Sequence, residues 1–142
     1  MENLIENILI QFNINEKEIK NYSLLSLAFL GDSVHSLYIR NRLITCANFK
    51  VKDLHSKTTK FVKAKSQSFV LENIELLLQD EEKRIVNSAK NAKTNNIAKN
   101  SSVKEYKFAT AFESLLGYLA LNKNYERLNY ILNLSYEIIE KI

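Results

Sequence analysis

No proline and only two glycines punctuate the 142 residues of this chain. Tight turns between strands draw on those two residue types, so a chain that nearly lacks them is poorly equipped for hairpins and sheets. Apolar residues make up 46% of it, enough for one buried core in a domain of this length. The expectation is an all-α protein, a single domain over residues 1–142.

The periodicity divides the chain into about six helices. Leu4, Ile5, Ile8, Leu9 and Phe12 recur at helical spacing, and a polar connection runs from Asn13 to Asn21. Ser23 suits the N-cap of a second helix reaching about Ile44. A third starts near Val51, with Val51, Leu54, Thr58, Phe61 and Val62 on one face and Lys57, Lys60 and Lys63 on the other, and continues past a bend to about Leu78. Asp80-Glu81-Glu82 fits the first turn of a fourth, ending near Ala92, because acids there favour the helix dipole. After a polar, basic stretch from Lys93 to Ser102, Ser101 or Ser102 caps a fifth helix with Glu105 near its third position. It reaches about Asn122, and a sixth covers Tyr125 to Ile142.

Both glycines sit inside helices, each beside an acid. One lies in Leu27-Ala28-Phe29-Leu30-Gly31-Asp32, the other in Ala109-Thr110-Ala111-Phe112-Glu113-Ser114-Leu115-Leu116-Gly117. A glycine in a helix costs about 1 kcal/mol relative to alanine, so close approach of another backbone is the expected reason for each. If the two helices cross at Gly31 and Gly117, the carboxylates of Asp32 and Glu113 converge. Apolar residues nearly surround Asp32, which places it in a buried helix, where an ionised carboxylate needs compensation. Two acids with no histidine pair or cysteine beside them suit a hard cation, with Mg²⁺ the natural choice and phosphodiester hydrolysis the natural chemistry. The other reading pairs each acid with a buried Arg or Lys, and Arg40 and Arg42 lie within three turns of Asp32.

The net charge is +4 and the pI about 9.1, and the charge is segregated. Lys50, Lys52, Lys57, Lys60, Lys63 and Lys65 are opposed only by Asp53; Lys90, Lys93, Lys99, Lys104 and Lys107 surround the polar stretch. A face that follows a phosphate backbone has this character, with Asn91, Asn95, Asn96 and Asn100 able to add contacts. The single cysteine, Cys46, excludes an internal disulfide and a cysteine-based zinc site and fits a reducing cytoplasm. No charge-free apolar run is long enough to span a bilayer, and the start of the chain lacks the basic region of a signal peptide.

These motifs also resemble a known family. Leu27-Ala28-Phe29-Leu30-Gly31-Asp32-Ser33-Val34 resembles the signature of ribonuclease III domains, above all the small form, Mini-ribonuclease III, which has no separate double-stranded-RNA-binding domain. Leu54-His55 with Phe61-Val62-Lys63-Ala64-Lys65-Ser66-Gln67 is similar to that family's third-helix pattern. Lys90-Asn91-Ala92-Lys93, Lys99-Asn100, Tyr106 and Thr110 to Leu119 follow in the family's order. The resemblance implies an all-α endonuclease working as a homodimer. It further implies Mg²⁺-dependent cleavage of double-stranded RNA leaving 5′-phosphate and 3′-hydroxyl ends, and maturation of the 23S ribosomal RNA precursor, with room for a ribosomal protein as partner. It puts Asp32 and Glu113 at the catalytic, metal-binding positions and Lys63, Lys90, Asn91, Lys93, Lys99 and Asn100 at RNA-contact positions. Where larger relatives carry further acids, this chain has Leu25, Ala28 and Thr110; Ser36 stands where many have Glu, and Lys90 where an Arg is common. A non-catalytic RNA-binding protein on the same fold is the rival reading.

Overall fold

The computed structural model describes residues 19–92 and 102–142. The expected helix near Leu4–Phe12, and the candidate contacts Lys93, Lys99 and Asn100, lie outside the described residues. Those residues form six α-helices and no strand: α1 Leu24–Cys46, α2 Val51–Val62, α3 Ala64–Ile74, α4 Asp80–Asn91, α5 Val103–Leu121 and α6 Tyr125–Glu140, with a 3₁₀ turn at Glu75–Leu77 after α3.

The caps expected from sequence are in place. Ser23 accepts a hydrogen bond from the Ser26 amide at 3.0 Å, and Ser102 accepts one from Glu105 at 3.0 Å. The bend expected between Val51 and Leu78 is a full break that makes two helices. Lys63 takes an extended conformation (φ −65°, ψ 153°) between α2 and α3. The Ser66 hydroxyl donates to the Lys60 carbonyl across the break, satisfying an acceptor that the interrupted helix leaves open. No proline or glycine announces this corner, so the pattern allows a bend without fixing its place.

α5 is the central element, and α1, α3, α4 and α6 all pack on it. Ala111, Phe112, Leu115, Leu116 and Ala120 are inaccessible to solvent. α1 is different. Its apolar residues point two ways: Leu27, Ala28, Val34, Ile39 and Leu43 into the core, but Leu25, Phe29, Leu37 and Ile44 outward, with Phe29 83% exposed. At about 100° per residue, these four fall within about 120° of the helix circumference. The expectation of an all-round buried helix is therefore corrected: hydropathy records that a face is apolar, not which partner covers it. Asp32 lies at the margin of the outward stripe and is exposed.

One ion pair ties the bundle together. Glu82, almost wholly buried in the first turn of α4, accepts from Arg127 Nε (2.8 Å) and a terminal nitrogen (3.0 Å), and Arg127 also donates to the Leu77 carbonyl. Removing one partner of a buried pair strands the other charge, at a cost of about 3–5 kcal/mol. Arg127→Met is expected to lose about that much stability in urea unfolding; a loss under about 1 kcal/mol would show the pair to be worth no more than a surface one.

Candidate active site

The crossing of α1 and α5 is a contact between main chains. A Cβ built on Gly31 would stand 1.8 Å from the Glu113 carbonyl oxygen, and one on Gly117 would stand 1.9 Å from the Leu27 carbonyl oxygen. Both glycines are therefore where they are because nothing larger fits. The left-handed residue between α5 and α6, by contrast, is Lys123 at φ 58°, so neither glycine serves a turn. Ser114 reinforces the crossing by donating its hydroxyl to the Leu24 carbonyl at 2.8 Å.

This crossing sets Asp32 and Glu113 side by side, close enough for the charge and hydrogen bonding of Asp32 to act on the Glu113 carboxyl. Two carboxyl groups can share such a bond only with a proton or a cation between them. Burial first, and then the hydrogen bond and charge of Asp32, push the Glu113 carboxyl up to about 8, against an opposing hydrogen bond from the Gln67 side chain. Among the described residues no Lys or Arg forms a salt bridge with either acid. Arg42 is engaged elsewhere: it donates to the Tyr38 hydroxyl (2.9 Å) and lies over the Tyr136 ring, 4.2 Å from its centroid. Arg40 lines a shallow depression with Ile44, Leu54 and His55. Among the described residues, internal pairing with a basic side chain, the competing reading of the acids, does not occur.

The donor set fits a hard divalent cation. Asp32 and Glu113 supply two anionic oxygens, and their unneutralised proximity is a deficit that such an ion corrects. Among the described residues no group of three or more acids, histidines or cysteines could hold a metal. The remaining ligands of an ion between the two acids would be water and substrate oxygens, as is usual for Mg²⁺. His35 stands behind the pair. It is 1% exposed, and burial holds its imidazole down at about 4 against the raising effect of Asp32, so it is neutral. Its Nδ1 lies 3.0 Å from Gln67 Nε2, and its ring meets Phe112 edge-on at 5.2 Å. His35 is thus the core residue its place on α1 suggests.

The chain's similarities agree with this geometry. Residues 25–124 match the family model of the ribonuclease III domain. The chain belongs to the ribonuclease III family. Within it, the chain is 44% identical to the Mini-ribonuclease 3 of Thermoanaerobacter sp. over 90% of each protein. It is 35% identical to that of Staphylococcus aureus over 91% of this chain and 98% of the relative. A crystal structure of a Fusobacterium nucleatum protein, 36% identical, superposes with a TM-score of 0.77, covering 84% of this chain and 96% of that one. The chain is thus a ribonuclease III-family protein of the Mini-ribonuclease 3 kind, as its motifs imply.

The basic residues divide on closer view. Lys50, Lys52, Lys57, Lys60, Lys63 and Lys65 are all exposed. A groove of about 550 Å³ unites two of the basic segments, with Lys60, Lys63 and Lys65 on one side and Lys104 on the other, over a floor that includes Phe69 and Ile139. Asn91 is exposed at the end of α4. Lys90 is half-buried, ion-paired to Glu75 and set over the Phe108 ring. Its charge is already committed within the fold. One buried polar group escaped the sequence reading of the site altogether. Gln67 is 2% exposed and hydrogen-bonds His35. Its only signal in sequence was a place within the third-helix motif.

Proposed function

We propose that this chain, an endoribonuclease by family, is a Mg²⁺-dependent enzyme that cleaves double-stranded RNA and matures the ends of the 23S ribosomal RNA precursor in the cytoplasm. The observation that carries the reading is the convergence of Asp32 and Glu113 at the α1–α5 crossing, where among the described residues no basic side chain forms a salt bridge with either acid. A divalent cation held there supplies Lewis-acid and water-activating chemistry for phosphodiester hydrolysis. Asp32, exposed at the edge of α1, meets an arriving phosphate; Glu113, seated deeper on α5, fixes the other side of the cation site. Lys63, with Lys60 and Lys65, offers charge to the RNA backbone along the groove, and Asn91 a neutral contact; Lys90 would first have to leave Glu75. Lys93, Lys99 and Asn100 complete the RNA-contact set that the motifs imply.

Paired RNA incubated with the protein is expected to be cut when Mg²⁺ is present and to stay intact under chelation. Cutting that survives chelation overturns the metal role. Host cells lacking the protein should accumulate 23S RNA with unprocessed ends, and normal ends would remove that target. The rival, an RNA-binding protein without chemistry, predicts salt-dependent binding and no cutting under either condition. It gives no reason for two convergent acids at a crossing that only glycine permits.

A homodimer belongs to the same proposal. The outward stripe of Leu25, Phe29, Leu37 and Ile44 is the kind of contiguous apolar patch that marks a protein–protein contact. A second copy across it would place one Asp32–Glu113 pair near each strand of a duplex. A monomeric mass by sedimentation at micromolar concentration would sink the dimer.

A further inference from the structure

Phe108 on α5 gathers two lysine ammonium groups at one ring. Lys90 Nζ lies 4.5 Å from its centroid and Lys104 Nζ 5.2 Å. Lys104 stands one turn before Phe108 on the same helix, while Lys90 arrives from the last turn of α4. Each cation gains from the ring face, but two like charges brought to one ring repel each other and together call for anions. The chain supplies them from α3 and the 3₁₀ turn that follows it. Glu72 pairs with Lys104 at 2.9 Å, and Glu75 pairs with Lys90. The two acids are three residues apart, which sets them side by side on one helical face. The result is a site for two anionic groups, filled by the protein's own carboxylates.

This cluster opens onto the basic groove. Lys104 and Glu72 both line it, together with Lys60, Lys63 and Lys65, so Glu72 is an acid set among the lysines that follow a phosphate backbone. A phosphate offers these ammonium groups what the carboxylates already give, an anionic oxygen at hydrogen-bond distance. The Lys104–Glu72 pair is open to solvent, its side chains 65% and 42% exposed, and an ion pair of that kind is weak enough to exchange. The Lys90–Glu75 pair is more enclosed, at 21% and 37%, so its exchange opposes binding more. We propose that Glu72 and Glu75 stand in for RNA phosphates: they hold Lys104 and Lys90 at the Phe108 ring in the free protein and yield both lysines to the duplex backbone when it docks. The inference rests on reading the chain as one that binds paired RNA. It gives the two acids a part in the substrate step, tempering affinity, and none in the cutting centre.

Binding of paired RNA is measured under chelation, so that nothing is cut, over a series of salt concentrations. Glu75→Gln is expected to bind about 3–5-fold more tightly than wild type, because Lys90 no longer has an ion pair to give up. Lys90→Gln should bind more weakly, with a salt slope shallower by about 0.9, the loss of one phosphate contact. In the double variant the gain from Glu75→Gln should vanish. A gain of equal size with and without Lys90 would mean that Glu75 only repels RNA from a distance, and overturns the exchange. A Lys90→Gln chain with unchanged affinity and slope overturns it too. Should a variant not fold, the wild-type chain decides. A carbodiimide joins a lysine amine to a carboxylate in contact with it, with loss of water, so the free protein should yield Lys90–Glu75 and Lys104–Glu72 crosslinks by mass spectrometry. Saturating duplex RNA should suppress both. Crosslinks undiminished by bound RNA overturn the proposal and leave the RNA-binding reading standing. A wild-type chain that binds no paired RNA at any salt concentration removes both.

Discussion

Gly31→Ala is expected to leave the chain largely unfolded. The added methyl carbon would stand 1.8 Å from the Glu113 carbonyl oxygen, 2.7 Å from its carbonyl carbon and 3.0 Å from the Gly117 nitrogen. Ordinary overpacking costs about 1–3 kcal/mol because side chains swing aside. Here the obstructing atoms are main chain on the central helix, and nothing swings. Relief requires α1 and α5 to separate by about 1.5 Å or more to restore contact distance, and that separation opens the core along the rest of their crossing. A domain of this size holds only about 5–15 kcal/mol in total. Circular dichroism and thermal melting should show no cooperative transition, or one displaced far downward. Gly117→Ala, 1.9 Å from the Leu27 carbonyl, should behave alike. A Gly31→Ala protein that melts with wild type and cleaves RNA would show that the helices do not cross as described.

Asp32→Asn and Glu113→Gln are expected to do the reverse, sparing the fold and abolishing cleavage. Losing one charge-stabilising group in a preorganised site costs on the order of 10²–10³-fold in rate, and loss of half the anionic oxygens for the cation should reach at least that. Binding of paired RNA under chelation should survive in both. Retained cleavage in Asp32→Asn would end the assignment. The Glu113 variant carries a second readout through pH. The wild-type Glu113 carboxyl is raised from 4.5 to about 8 in the folded state. The folded chain therefore holds a proton that the unfolded chain releases above 4.5. That contribution to stability is complete below 4.5 and is lost as pH rises through about 8. In chelator, the melting temperature of wild type should fall from about pH 5 to about pH 9, and Glu113→Gln, which is neutral throughout, should flatten this component. A wild-type curve no steeper than that of the variant would show that the two acids do not share a proton.

Much of this was readable from residues, and the exceptions have physical causes. The glycines announced the crossing because a costly residue in a helix interior needs a spatial reason, and only backbone proximity supplies one. The caps at Ser23 and Ser102 were local chemistry, visible at short range. The corner at Lys63 was expected as a bend but not placed, since an extended lysine followed by a serine that bonds backward carries no composition signal. Asp32 looked buried because apolar neighbours are recorded by sequence without their direction; Leu25 and Phe29 face out, Leu27 and Ala28 in. Glu82 read as a first-turn acid, which it is, yet its partner Arg127 lies far along the chain, and pairing at that range has no periodic trace. Gln67 escaped for the same reason, as its partner His35 lies on another helix.

Because Gly31 and Gly117 rest against carbonyl groups, the distance between the two acids is a property of the backbone. Side chains elsewhere in the bundle can be exchanged, and the core repacked, without altering that spacing so long as these two positions stay bare. The lysine groove, by contrast, is built wholly from side chains on other surfaces. On the proposed function, chemistry and substrate preference are thus written in separable parts of the molecule. Redesign of the RNA-facing residues should change what is cut, or how tightly it is held, while leaving the cutting centre intact.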